Sequence, residues 1–163
     1  MKLTSDSGIF KSVHKIYKWQ VDNATRQEVL TWIDALKSGS YKQGKGTLKR
    51  NNMYCCLGVL SCLQGAEWKK DEEDQETYPY YNDVREDFCY LPKAIADKFN
   101  MSDKGLHIEV LDDRDVIRTV HLALLNDNGV PFNEIADIIG LALRGGYDAP
   151  PPPKQVEVTK SKK

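Results

Sequence analysis

YKQGKGTLKRNNMYCCLGVLSCLQG, residues 41–65, decides how the rest of the chain is read. Its first half is a basic, glycine-rich loop and its second half is apolar. Gly44, Gly46 and the pair Asn51-Asn52 are turn signals. They predict two short strands, near 46–49 and 52–55, joined as a hairpin. Leu57, Val59, Leu60 and Leu63 then make 55–64 apolar nearly all round, with Gly65 as the stop. A helix apolar on every side belongs at the centre of a fold.

Upstream of this stretch, 25–37 reads as an amphipathic helix. Thr25 and Glu28 form a T-x-x-E capping box, and Val29, Ile33 and Leu36 line one face with Leu30 and Trp32 beside it. In 1–24, Ile9, Phe10, Val13, Ile16 and Tyr17 recur at helical spacing and predict an arm or short helix. Downstream, 66–90 is acidic and tyrosine-rich and reads as a long loop. Pro92 opens a helix with Ile95, Ala96 and Phe99 inward. Residues 106–111 alternate as a strand. Asp112 or Asp113 is expected to cap a helix carrying Val116, Ile117, Val120, Leu124 and Leu125. Pro131 starts a last helix with Phe132, Ile135, Ile138, Ile139 and Leu143 inward.

The sum is a helix-rich α+β fold, about five helices around a buried central helix, with a small antiparallel β-hairpin or sheet. One globular domain is expected over 25–146. Residues 147–163 hold four consecutive prolines and scattered charge, which predicts a disordered tail.

Composition narrows the function. A net charge of −1 argues against a general nucleic-acid or membrane-surface binder, which depends on a basic excess. No apolar run is long enough to span a bilayer. Cys55, Cys56, Cys62 and Cys89 do not have the spacing of a disulfide framework, so reduced thiols in a cytosol are expected. They contain no C-x-x-C pair and no histidine at ligand spacing, so no metal is expected, and no cofactor.

Charge is distributed unevenly. Residues 35–66 hold Lys37, Lys42, Lys45, Lys49 and Arg50 and no acid, whereas 71–87 hold eight acids against Arg85 alone. Two solvated loops of opposite sign account for this, as does an anion site on the basic one. In the second reading Gln43 and the backbone of Gly44, Lys45 and Gly46 approach an anion, and Lys45, Lys49 and Arg50 add charge. Tyr78, Tyr80 or Tyr81 would stack on a base. A different chemistry uses Cys55 or Cys56, near a helix N-terminus, as a nucleophile with His107 as base; two packed core thiols are the simpler account. Residues 124–140 resemble the first half of a helix-turn-helix, but the chain after Gly140 offers Arg144 alone for reading a groove.

Several strings occur together in order: Gln43-Gly44-Lys45-Gly46 to Leu48, Tyr54-Cys55-Cys56-Leu57-Gly58-Val59-Leu60, Leu91-Pro92, Leu125-Asn126-Asp127 to Gly129, then Phe132 and Ile135-Ala136-Asp137-Ile138. Over about 25–143 the chain resembles small proteins of tailed bacteriophages and prophages, most of unknown function. Pro131 departs from the pattern, where a small capping residue is expected. The resemblance implies a phage product in the host bacterial cytoplasm, and carries over no catalytic residue. By analogy with phage proteins that interfere with nucleotide-signalling defences, the expected partner is a small anionic ligand, a nucleotide. The alternatives are a cysteine-dependent hydrolase or transferase, a module that binds a host protein through the acidic loop, and, last, a DNA binder.

Overall fold

The segment FKSVHKI is a strand, β1 (Phe10–Ile16), and not the amphipathic helix that its spacing predicts. Phe10, Val13 and Ile16 are all buried, three residues apart. Two register irregularities, between Phe10 and Ser12 and between Val13 and Lys15, account for that spacing. Each bulge inserts a residue and turns a period of two into a period of three.

The computed structural model describes residues 1–70, 76–79 and 89–151. After β1 come α1 (Asn23–Lys37), β2 (Lys42–Gln43), β3 (Lys49–Arg50), β4 (Met53–Tyr54), α2 (Cys56–Leu63), β5 (Trp68–Lys70) and β6 (Glu76–Pro79). They are followed by α3 (Lys93–Lys98), β7 (His107–Asp112), β8 (Ile117–His121), α4 (Leu122–Asp127), α5 (Phe132–Arg144) and β9 (Tyr147–Asp148). The fold is α+β, but it is not a helix-rich fold with one small hairpin. A four-stranded antiparallel sheet has the order β8-β7-β1-β9, a three-stranded mixed sheet the order β2-β4-β3, and β5 pairs with β6.

Three strands of the larger sheet fall where the sequence suggests something else. β1 was expected to be helical. β8 lies inside the helix expected after Asp112, because Val116, Ile117, Thr119 and Val120 are β-branched and fit a pleated surface. Asp112 caps no helix: its carboxylate accepts from the Arg114 N–H at 2.8 Å, the Val116 N–H at 2.9 Å and the Arg118 Nε at 2.5 Å, and so holds the β7–β8 turn. Tyr147 and Asp148, assigned to the tail, pair with Ile16 and Lys15. Residues 152–163 lie outside the described residues.

The helices follow the sequence more closely. Asp22, not Thr25, caps α1, accepting from the Thr25 N–H at 2.8 Å. Glu28 turns away from the cap to Lys98 and Gln64. Val29, Trp32 and Leu36 are the buried stripe, with Ile33 half-buried. α2 is central: Cys56 to Ser61 are all inaccessible to solvent. The buried indole of Trp32 donates to the Cys56 carbonyl at 3.0 Å and ties α1 to α2. α4 and α5 form an αα-hairpin packed on the domain, turning through Gly129 at φ +83°. After α5 the chain passes through Gly145 and Gly146 into β9, so the half-motif of 124–140 gains no recognition helix there.

Candidate functional site

Gln43 points into the protein. Its amide nitrogen donates to Asn126 Oδ1 at 2.9 Å and to the Val130 carbonyl at 2.8 Å, and its oxygen accepts from the Phe132 N–H at 3.1 Å. Asn126 is fully buried. Its Nδ2 donates to the Gly44 carbonyl at 2.8 Å, and its Oδ1 also accepts from the Cys56 N–H at 3.1 Å. That N–H opens α2 and has no partner within the helix. Gly46 N–H donates to Asp127 Oδ1 at 2.9 Å, and Gly44 N–H to the Tyr54 carbonyl at 2.7 Å. Lys45 Nζ lies 2.5 Å from Asp6.

The glycine loop and the turn from α4 into α5 are thus two halves of one clamp. Gln43, Gly44 and Gly46, expected to reach for an anion, are bonded to other parts of the chain. A carboxylate, Asp127, already holds the Gly46 N–H. The tripod of Gln43, Asn126 and Asp127 fixes where β2 ends and where α2 begins.

The cysteines are separated by environment. Cys55 is joined to Cys89 in a disulfide, which corrects the expectation of four reduced thiols. Cys56 is buried, and burial, followed by the Asp127 charge, pushes its thiol well above the usual range. Its Sγ lies 3.8 Å from the Leu122 carbonyl. The thiolate is the nucleophilic form, and the surroundings of Cys56 disfavour it. His107 lies across from His121 on β8, ring centroids 5.8 Å apart. Cys55, Cys56 and His107 therefore do not make a nucleophile with its base. No group of three or more His, Cys, Asp or Glu side chains suited to a metal occurs among the described residues.

A different cluster does have the composition of a ligand face. Tyr41 and Tyr54 meet edge to face at 5.2 Å, and Tyr54 meets Trp68 at 6.2 Å. Lys49 places its ammonium 5.6 Å from the Tyr54 ring and 5.4 Å from the Trp68 ring. All four residues are half-buried. The hairpin behind them forms for local reasons. Asn51 and Asn52 both have positive φ, 53° and 60°, which makes a two-residue turn of the type that matches strand twist. Lys49 pairs with Tyr54 across that hairpin, and Met53 lies between Arg50 on one side and Lys42 on the other. Sequence reading gave Lys49 and Arg50 a place here but missed Tyr41, Tyr54 and Trp68. The signal was aromatic residues flanking a basic hairpin. Tyr78, Tyr80 and Tyr81, named instead for stacking, have side chains outside the described residues.

A family model for a domain of unknown function, DUF8296, matches residues 26–143. The chain belongs to this family. No curated protein and no solved structure matches it. The stretch matched to DUF8296 runs from the first turn of α1 to the last turn of α5. It holds the whole Gln43–Asn126–Asp127 clamp and the aromatic cluster, while β1 and β9 lie outside it. No helix among the described residues is long and apolar enough to cross a membrane.

Proposed function

We propose that this DUF8296 chain binds a small anionic ligand, a nucleotide, on the face formed by Tyr41, Lys49, Tyr54 and Trp68. The observation that carries the reading is the Lys49 ammonium set against two aromatic rings within a chain of three. Aromatic faces accept any base by stacking, and a cation beside them selects an anionic ligand. Lys42 and Arg50, either side of Met53, extend the basic surface along the same small sheet. The clamp serves the site indirectly, by fixing the ends of the strands that carry it.

The phage origin, the host cytoplasm and a role against nucleotide-based defence belong to the same proposal. What supports them is the resemblance of the motif strings. A buried disulfide is rare in a reducing cytosol, so Cys55–Cys89 pulls against the cytoplasmic placement, and counting thiols decides between them.

The test is thermal stability against a panel of nucleotides, including cyclic dinucleotides and NAD-derived species, with Trp68→Ala and Lys49→Ala as controls. A ligand present at 100 times its Kd adds about 2.7 kcal/mol to folding. The expected result is a rise in Tm for one ligand class that both variants abolish. A ligand whose effect survives in both variants would sink the assignment of this face, and no shift with any nucleotide would sink the function.

A further inference from the structure

β8 passes into α4 without a loop, and His121 is the joint: it ends the strand and caps the helix. Its Nδ1 accepts from the Leu124 N–H at 3.1 Å. The two N–H groups before that one are bonded to the chain leading into β7, Leu122 to the Leu106 carbonyl at 3.1 Å and Ala123 to the Lys104 carbonyl at 3.2 Å. Helix caps are most often Ser, Thr, Asp or Asn, whose oxygens accept throughout the neutral range. An imidazole nitrogen accepts only while it carries no proton, and imidazole takes one up between about pH 8 and pH 5. α4 is short, and its last two residues are Asn126 and Asp127, the clamp's hold on Gln43, Gly46 and the Cys56 N–H. The carbonyl of Leu122, in its first turn, lies 3.8 Å from Cys56 Sγ.

We propose that His121 is a proton-operated latch: a proton taken up from solvent at Nδ1 breaks the cap, frees the first turn of α4 and loosens the clamp on the glycine loop and on the start of α2. A protonated Nδ1 is a donor facing another donor, the Leu124 N–H, so the ring has to turn away. The surroundings keep the latch closed at neutral pH. His107 stands directly opposite His121 in the register of β7 and β8, ring centroids 5.8 Å apart. Burial first, then the charges of His107 and Lys104, lower the His121 pKa from an ordinary 6.5, against the pull of Asp127 and Asp103. Glu109, farther along β7, is engaged by the Tyr17 hydroxyl. The open state binds a proton that the closed state refuses, so opening is favoured up to about tenfold for each pH unit below 6.5. The stability that the neutral cap supplies is complete above 6.5 and is lost as pH falls from there through the lowered folded value.

Amide hydrogen exchange of the full chain, read by NMR at about pH 7 and about pH 5.5, tests the latch. Protection factors at Leu124, Gly46 and Cys56 are expected to fall about tenfold between the two. The factor at Trp32, on α1, reports on opening of the whole domain and is expected to fall by less. His121→Asn keeps an acceptor at the cap but takes up no proton; its factors are expected to stay within about twofold. The His121 ring of the wild type is expected to pass from the neutral form protonated at Nε2 to the imidazolium, with the same midpoint as the loss of protection. That comparison needs no variant, so it decides the matter should His121→Asn fail to fold. Leu124 protection that falls no more than that of Trp32 would overturn the proposal, and so would the same loss in folded His121→Asn. A loss at Leu124 that leaves Gly46 and Cys56 unchanged would overturn it too, as would a ring that stays neutral while protection is lost.

Discussion

Gly58 lies against the backbone of Leu48: a Cβ added at Gly58 would stand 1.7 Å from the Leu48 carbonyl oxygen and 2.6 Å from its carbon. The same oxygen accepts the Cys55 N–H at 3.2 Å. Helix α2 therefore enters the core with its backbone pressed on the chain that leads into β3, and neither side has a flexible group that could give way. Gly58→Ala is expected to cost about 3 kcal/mol, the upper end of overpacking, or to prevent folding. Gly65 is the control. It has φ +80° but nothing within 4 Å of an added Cβ, so Gly65→Ala is expected to cost about 1 kcal/mol from backbone strain alone. Urea denaturation of both variants reads the difference. A Gly58→Ala protein within about 0.5 kcal/mol of wild type, the range of ordinary surface changes, would mean that α2 can move away from Leu48.

Asp112 ties part of the acid stability of the protein to one turn. The Arg118 guanidinium first, then the Val116 N–H, hold its carboxyl down to about 2, from an ordinary 3.8. The folded state thus keeps the carboxylate ionised where the unfolded chain protonates it. The stabilisation is complete above the unfolded value and is lost as pH falls from about 4 towards about 2. Asp112→Asn preserves one acceptor oxygen and removes the titration. Its stability is expected to be lower than wild type at neutral pH and flatter over that acid window. A wild-type curve with the same slope as the variant between pH 4 and pH 2 would show that the Arg118 contact does not hold the carboxylate.

Every helix but α4 was legible because each has a pattern of its own length. α2 is apolar on every side, α5 has a stripe that starts after Pro131, and Asn51-Asn52 announces its turn. The larger sheet was not, because two of its strands imitate helices. β1 buries Phe10, Val13 and Ile16 at a spacing of three, which only the bulges opposite β7 explain, and the pairing that creates the bulges comes from about 100 residues away. β8 runs directly into α4, so Ile117 to Leu125 carries one apolar pattern across two elements. The site shows the same division. The strings around Gln43 and Asn126 stood out as motifs, but a motif does not say whether its donors face a ligand or each other. Gln43 bonds Asn126 across 83 residues, and that long-range bond turned the expected anion loop into a clamp.

The Cys55–Cys89 disulfide closes a separation of 34 residues, from the cap of α2 to the chain entering α3. In the chain-entropy account, a loop of this length stabilises the folded state by about 4 kcal/mol. Both residues are buried, Cys55 completely and Cys89 at 2% exposure. The reductant therefore reaches them slowly in the native protein, and unfolding is the step that admits it. Two measurements follow. Thiol titration of the denatured, unreduced protein is expected to find two free thiols, Cys56 and Cys62, out of four cysteines. Denaturation after complete reduction, or with Cys89→Ser, is expected to show a loss of about 4 kcal/mol. Four titratable thiols in protein kept under oxidising conditions would show that Cys55 and Cys89 are not joined. It would also remove the objection that the bond raises to a reducing cytoplasm.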